Sequence, residues 1–326
     1  MTDYKYDILC IGPAFVDMFI KVDDDFLNEI GFKKSTWNRV DEKGLKNILS
    51  KRTPYAKVSG GCAPNTAACA AMIGAKVAFI HKLANDEEGR MVVDEFKDMD
   101  ICFKDALVDD AITGTCLILL SEDGERTMSP YFGVQAAFGP EDMDEELIKE
   151  AKITYIAGCP MNEKESQDAL VTGFALAKKH GSITVLNTFD INSIAMAKDF
   201  YKSLMESGNV DILIGNRNEF MAYYEVETED EIYPLLQKEK FMAVVTRSGE
   251  GSITVKDGEI FKVPGKNVDK VVDTTGAGDS FASGYLYALA KGRSVYECGA
   301  KGAEIAAETI AQLGARPKLS KEMGVF

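Results

Sequence analysis

From Ala151 onward, short apolar runs and longer amphipathic runs take turns almost without interruption. "KITYIAG" reads as a strand, "EKESQDALVTGFALAKKHG" as a helix, "SITVLNTF" as a strand, "SIAMAKDFYKSLMESG" as a helix, "VDILIGN" as a strand, "RNEFMAYYE" as a helix and "FMAVVTRS" as a strand. No other feature restricts the fold more. Strands apolar along their whole length belong in a sheet buried on both faces, and parallel neighbours need a long crossover between them. The intervening helices supply those crossovers. The chain is therefore expected to form an α/β fold, a mainly parallel sheet covered on both faces as a three-layer α/β/α sandwich. The N-terminal part follows the same rhythm. "YDILCIG" reads as a strand ending at Gly12, "APNTAACAAMIGA" as a helix capped near Gly74, "KVAFIHKL" as a strand and "DEEGRMVVDEFKDM" as a helix.

Two regions, roughly residues 14–58 and 105–133, break the rhythm. The second contains "TGTCLILLSEDGERTMSPYFG", an apolar strand, an "EDG" turn and a second strand. "FVDMFIKVDD" in the first would add a strand to the same small sheet. The expectation is one domain over residues 1–326, with these two excursions forming a β-rich lid on an α/β body. The lid's apolar strands have no obvious helical cover, which leaves two readings: a homodimer interface through the lid, or a flap that folds back on substrate. No internal repeat or low-complexity tract is present.

The 326 residues, 46% of them hydrophobic, suffice for a large core. The formal charge of −15 argues against nucleic acid or an anionic membrane as partner and leaves small molecules. An anionic ligand would then need helix ends, a few cations or a metal. The seven cysteines are scattered without a C-x-x-C pair, and read as buried free thiols of a reducing compartment. No secretory signal and no run of roughly 18 apolar residues is evident. A cytoplasmic protein is expected. With only His81 and His180, a histidine metal site or triad is not expected.

Five stretches carry chemistry-bearing residues. In "DTTGAGDSFASG", read as following a short strand "KVVD", Gly276, Ala277 and Gly278 would present backbone N–H groups at a helix mouth, an anion site, with Asp279 in the same mouth. The helix end should keep that carboxylate ionised. The ordinary alternative is a glycine turn with an acidic first-turn residue. In "SGGCAPNTAACAA", Gly60 and Gly61 permit close backbone approach, and Asn65 offers a donor and an acceptor to a hydroxyl-rich ligand. A loop with Pro64 at a helix start is the alternative. In "IGNRNEF", Asn216 and Glu219 share one side of a first turn and would suit a hydrated Mg²⁺, or else simply cap the helix. "VVTRSGEGSITV" places Thr246 at a strand end before a turn with Gly251. "GPAFVD" places Asp17 beyond the first strand, where its carboxylate could accept from a diol or merely face solvent.

All five lie at or just after expected strand ends, where open α/β sheets bind ligands. In this order they resemble the pfkB (ribokinase-like) family of carbohydrate and nucleoside kinases over nearly the whole chain. "DTTGAGDSFASG" is similar to that family's C-terminal motif, "SGGCAPNTAACAAMIGAKVAFIHKLANDEEG" to its N-terminal motif, "NRNE" to its Asn-x-x-Glu motif and "VVTRSGEGS" to its segment near the nucleotide. "DGERTMSPYFG" and "GARP" look most like the adenosine-kinase-like branch. The resemblance implies a ribokinase-like fold and transfer of the γ-phosphoryl of ATP to a primary hydroxymethyl group of a sugar or nucleoside. It implies Asp279 as base and Gly276, Ala277 and Gly278 as anion hole. Asp17, Gly61, Asn65 and, from the lid, Arg126 would hold substrate. Thr246, Gly251, Thr275 and Gly278 would line the nucleotide site, and Asn216 and Glu219 would organise Mg²⁺. Some members also use a monovalent cation such as K⁺. Pro13, His81 and "LANDEEG" depart from the branch pattern and leave the acceptor open. A non-catalytic sensor on the same fold is the alternative, against which the intact Asp279 argues. A dinucleotide-dependent oxidoreductase lacks its fingerprint at "DILCIGPAF".

Overall fold

The computed structural model describes residues 4–104, 107–158, 163–188 and 190–325. The two α/β stretches join in one nine-stranded sheet. Its order is Glu259–Val263, Ser252–Lys256, Met242–Thr246, Ile212–Asn216, Ile183–Asn187, Ala151–Ile156, Tyr6–Ile11, Val77–Ile80 and Cys102–Phe103. Every neighbouring pair from Met242–Thr246 to Cys102–Phe103 is parallel, and the last two strands on the other edge run antiparallel as a meander.

Residues alternate across this sheet as the two-residue strand period requires. Ile8 and Cys10 enter a core with the helices Cys62–Met72 and Ala277–Ala290, whereas Leu9 and Ile11 enter a second core with Phe174, Tyr201 and Phe220. The sheet is thus the middle of three layers. Gly284 lets the helix Ala277–Ala290 lie against the helix Val295–Ile310, because a Cβ there would stand 2.6 Å from the Lys301 carbonyl oxygen.

Strand order fixes where a ligand can sit. From Tyr6–Ile11 the chain steps outward to Val77–Ile80 and Cys102–Phe103, then returns to Ala151–Ile156 on the other side of Tyr6–Ile11 and proceeds outward the opposite way. The crossovers leaving this central pair diverge and open a crevice at its carboxyl end. Gly12 and Ala157 floor it: a Cβ on Gly12 would stand 2.2 Å from the Ala157 carbonyl oxygen.

The two excursions form a separate four-stranded sheet in the order Ala56–Gly60, Phe15–Lys21, Thr115–Leu120 and Arg126–Tyr131. The hairpin across "EDG" is present, with Thr115 opposite Tyr131 and Leu120 opposite Arg126. The expected lack of helical cover is wrong. The excursion after Phe15–Lys21 brings two helices, Asp24–Glu29 and Glu42–Lys51, whose Phe26, Leu27, Leu45 and Ile48 pack with Val16, Met18, Ile20, Leu117 and Leu119. Asp41 caps the second by accepting from the Gly44 N–H at 2.7 Å. The opposite face carries Asp17 and the half-exposed Val58, with Arg126 at its edge.

Three local readings also change. "KVVD" forms no strand; Val271 and Val272 are exposed, and the Val272 N–H donates to the Ile310 carbonyl. "KVAFIHKL" breaks into Val77–Ile80 and Leu83–Ala84, the latter pairing with Leu107–Val108. The helix through "SIAMAKDFYKSLMESG" divides at Ala197. Cys10, Cys62, Cys69, Cys102, Cys116 and Cys298 are free thiols, and Cys159 lies outside the described residues. Among the described residues no helix is long and apolar enough to cross a membrane.

Candidate active site

Gly276 starts the helix Ala277–Ala290 with φ +74°. A side chain there would be strained and would also collide with Ala315, whose Cβ would be 2.6 Å away. Gly278 is different. Its φ is not positive, and nothing lies within 4 Å of where its Cβ would be. The protein itself therefore has no steric need for glycine at 278; open space in front of first-turn N–H groups is what an incoming anion requires.

Asp279 stands in that first turn. Its Oδ2 accepts from Asn65 Nδ2 at 2.9 Å, and its backbone carbonyl accepts from Thr66 Oγ1 at 3.2 Å. Both partners lie on the helix Cys62–Met72, which joins the N-terminal loop to the C-terminal helix across the crevice. Burial raises the Asp279 pKa to about 7, while hydrogen bonds from Asn65 and Cys62 and the positive charge of Arg316 pull the other way. The expectation that the helix end keeps this carboxylate ionised is thus corrected: desolvation outweighs the favourable neighbours and leaves it poised near neutrality.

Asp17 comes from the lid, and its carboxylate packs on Gly60, where a Cβ would stand 2.5 Å from Oδ2. Burial raises its pKa to about 6, again against the charge of Arg316. Gly61 has φ +102° and would clash with the Pro13 carbonyl if it carried a side chain, which places Pro13 in the wall of this loop. Asn65 is buried, and its amide is engaged at both ends, donating to Asp279 and accepting from Arg316 Nε at 3.0 Å. Its role inside the protein is thus at least as evident as any contact with substrate.

Asn216 and Glu219 make the capping box that was one of their two readings. The Asn216 side chain accepts from the Asn218 and Glu219 N–H groups, and Asn216 donates from its N–H and Nδ2 to Glu219 at 2.9 and 2.6 Å. Thr188 Oγ1 also donates to Glu219. Burial holds the Glu219 pKa above its ordinary value, helped by Asp190 and opposed by Thr188 and Asn216. Three donors occupy three of the roughly four acceptor positions of a carboxylate, leaving space for one metal-bound water rather than for direct ligation. Among the described residues no three His, Cys, Asp or Glu side chains group to hold an ion. This donor set fits a hydrated Mg²⁺ carried in by a phosphate ligand.

Thr246 lies at its strand end opposite Asn216, with Oγ1 donating to the Gly215 carbonyl at 3.3 Å. Gly251 has φ +91° and a structural reason of its own: its Cβ would meet the Val263 carbonyl oxygen at 2.1 Å. Arg126 reaches from the lid to the body, with Nη1 donating to Thr275 Oγ1 at 3.0 Å and Nη2 standing 3.7 Å from Asp273 Oδ1. Asp273 in turn accepts from the Thr275 and Gly314 N–H groups. The structure thus brings Asp17, Asn65 and Asp279 around Arg316 and sets Arg126 on the loop that leads into Gly276. His81 belongs elsewhere, in an aromatic cluster with Phe79, Phe96 and Phe103 at ring distances of 5.7, 6.2 and 5.5 Å.

Arg316 and Cys62 were not singled out from the sequence, nor was Thr188. "GARP" supplied only a likeness, because nothing in a sequence tells a buried arginine from a solvated one. The chain matches the family model described as pfkB family carbohydrate kinase over residues 30–322. The chain belongs to the pfkB family. This pfkB protein is accordingly a kinase, a phosphotransferase with an alcohol acceptor, and its sandwich and lid are the ribokinase-like fold. It is similar to an adenosine kinase from Sinorhizobium meliloti, with a TM-score of 0.88 and 36% identity over 97% of each chain. It is also similar to a probable sugar kinase from Rhizobium etli CFN 42, with a TM-score of 0.89 and 32% identity, covering 98% of this chain and 97% of the other. A 5-dehydro-2-deoxygluconokinase from Listeria monocytogenes serotype 4b is 27% identical over 307 residues, 90% of this chain and 86% of the relative.

Proposed function

We propose that this pfkB kinase transfers the γ-phosphoryl group of ATP to the primary hydroxymethyl group of a sugar or nucleoside held between the lid and the crevice. The observation that carries this reading is Asp279: a carboxylate with a pKa near 7, beside Gly276 to Gly278 at a helix mouth, fixed by Asn65. A base poised near working pH can take the hydroxyl proton as the oxygen attacks phosphorus. ADP then leaves, and the first-turn N–H groups neutralise charge on the moving phosphoryl. Mg²⁺, when bound near Asn216 and Glu219 through water, supplies charge neutralisation on the phosphates. Asp17 accepts from acceptor hydroxyls, and the lid excludes water that would compete as acceptor. Thr246, Gly251 and Thr275 line the nucleotide side. The free thiols fit a reducing, ATP-rich compartment, the cytoplasm.

Adenosine and 5-dehydro-2-deoxygluconate, the acceptors for which these relatives are named, head a transfer screen that extends to other nucleosides, pentoses and hexoses. At least one acceptor is expected to turn over. Asp279→Asn is expected to keep ATP binding by calorimetry and to lose ~10²–10⁴-fold in kcat. Near-normal turnover by that variant, or no transfer to any acceptor, would overturn the reading.

A further inference from the structure

Arg316 sits at the centre of a largely buried polar chain whose outer end, Glu95, is partly exposed. Its guanidinium, 9% exposed, donates through Nε to Asn65 Oδ1 at 3.0 Å and stands with Nη1 2.7 Å from Glu95 Oε2, an ion pair outside hydrogen-bond geometry that holds it by charge. Asn65 passes the interaction on, donating from Nδ2 to Asp279 Oδ2 at 2.9 Å. These four residues come from four separate segments: the helix Glu87–Asp98, the segment after Gly314, the helix Cys62–Met72 and the helix Ala277–Ala290.

The direction of the chain follows from what each group can do. Guanidinium donates and never accepts, so it fixes the carbonyl end of the Asn65 amide toward itself. The amide N–H₂ end must then face Asp279. Without Arg316 the amide could turn over, setting its oxygen against a carboxylate oxygen and losing the donor that holds the base. We propose that Arg316 is a positioning residue for phosphoryl transfer: anchored by Glu95, it sets the sense of the Asn65 amide and thereby holds the Asp279 carboxylate in its reactive orientation. The inference rests on Asp279 being the base.

A charge effect accompanies the geometric one. Arg316 lowers the pKa of both Asp279 and Asp17 against the effect of burial. The other titratable groups around Asp279 are Cys62, Cys69 and Tyr155, all with pKa values raised by burial and therefore neutral at working pH, while the charges of Glu219 and Asp190 bear on Cys62. Arg316 is thus the cation that favours an ionised Asp279.

The test compares Arg316→Met, Arg316→Lys and Asn65→Leu in the full-length protein with the acceptor found by the screen. Arg316→Met is expected to lower kcat ~10–100-fold, the scale of a misplaced reacting group, with the KM for ATP changed less than about threefold. The acid limb of its kcat profile should move to higher pH. Arg316→Lys keeps the charge but has one nitrogen for two partners, so its kcat should fall while its acid limb stays near wild type. Asn65→Leu should lose kcat, and adding it to Arg316→Met should cost little more, because both act on one chain. Thermal unfolding establishes that each variant is folded; if Arg316→Met is not, the lysine and leucine variants decide. An active Asp279→Asn would remove the base and this inference together. An inactive Asp279→Asn alongside Arg316 variants with wild-type kcat and pH profile would remove the relay alone, as would a simple addition of the two losses.

Discussion

At the scale of the residue, Gly276 and Gly278 make the cleanest comparison, because they stand two apart in one loop and are glycine for different reasons. Gly276→Ala would force a strained φ and a clash with Ala315, whereas Gly278→Ala meets empty space. Gly276→Ala is expected to lower the Tm by several degrees. Gly278→Ala should leave the Tm within about one degree and still lower kcat/KM for ATP by ~10-fold or more, since only a bound phosphoryl would feel the new methyl. Equal losses of stability in both would contradict the anion-hole role of Gly278. The sequence suggested an anion site here from glycine spacing alone, but could not separate the two glycines, because the neighbour that makes 276 obligatory is Ala315, far along the chain. Asn65 was legible as a polar group at a helix start; its occupation by Asp279 and Arg316 was not, for those contacts depend on how three distant segments dock.

At the scale of the element, the lid is tied to the body by Arg126 on Thr275 and Asp273. The arginine is exposed and the ion pair is long at 3.7 Å, and such solvated pairs contribute roughly 0.2–1 kcal/mol. Arg126→Gln and Thr275→Val are therefore each expected to lower kcat/KM for the acceptor no more than about fivefold, with the arginine effect shrinking as salt is raised. A hundredfold, salt-insensitive loss would instead place Arg126 on the transferring phosphoryl. Elements were legible where one period dominated. Ile8 to Ile11 and Ile212 to Gly215 read as buried strands because few other structures bury every residue of so short a run. The helix Glu42–Lys51 was overlooked inside a stretch read as strand-rich, although Asp41 and the spacing of Leu45 and Ile48 mark it. "KVVD" misled because two valines favour a strand locally, while in the fold the Val272 N–H bonds the Ile310 carbonyl at a helix end instead.

At the scale of the whole molecule, the crevice places carboxylates where burial disfavours their charge. Asp17 and Asp279 have folded pKa values of about 6 and about 7, above the ordinary value near 3.8 that holds in the unfolded chain. Between those limits the folded state binds more protons than the unfolded one, so these two groups lower stability as pH rises from about 4 to 7. Asp279→Asn should consequently raise the Tm more at pH 8 than at pH 5 while losing most of its transfer activity. An identical gain at both pH values would mean that the carboxylate is not held above its ordinary range. The parallel sheet, with the candidate residues at its strand ends, was readable from alternating periods; the switch point needed the strand order itself. The relay was not: Asn65 and Asp279 stood out as candidates at helix starts, but Glu95 and Arg316 look like solvated residues until the layers close. That relay has a consequence for biosynthesis. Glu95 and Asn65 emerge from the ribosome long before Asp279, and Arg316 follows later still. On the proposed reading, a nascent chain that holds every other member of the relay still falls short of full activity until Arg316 has been made and docked.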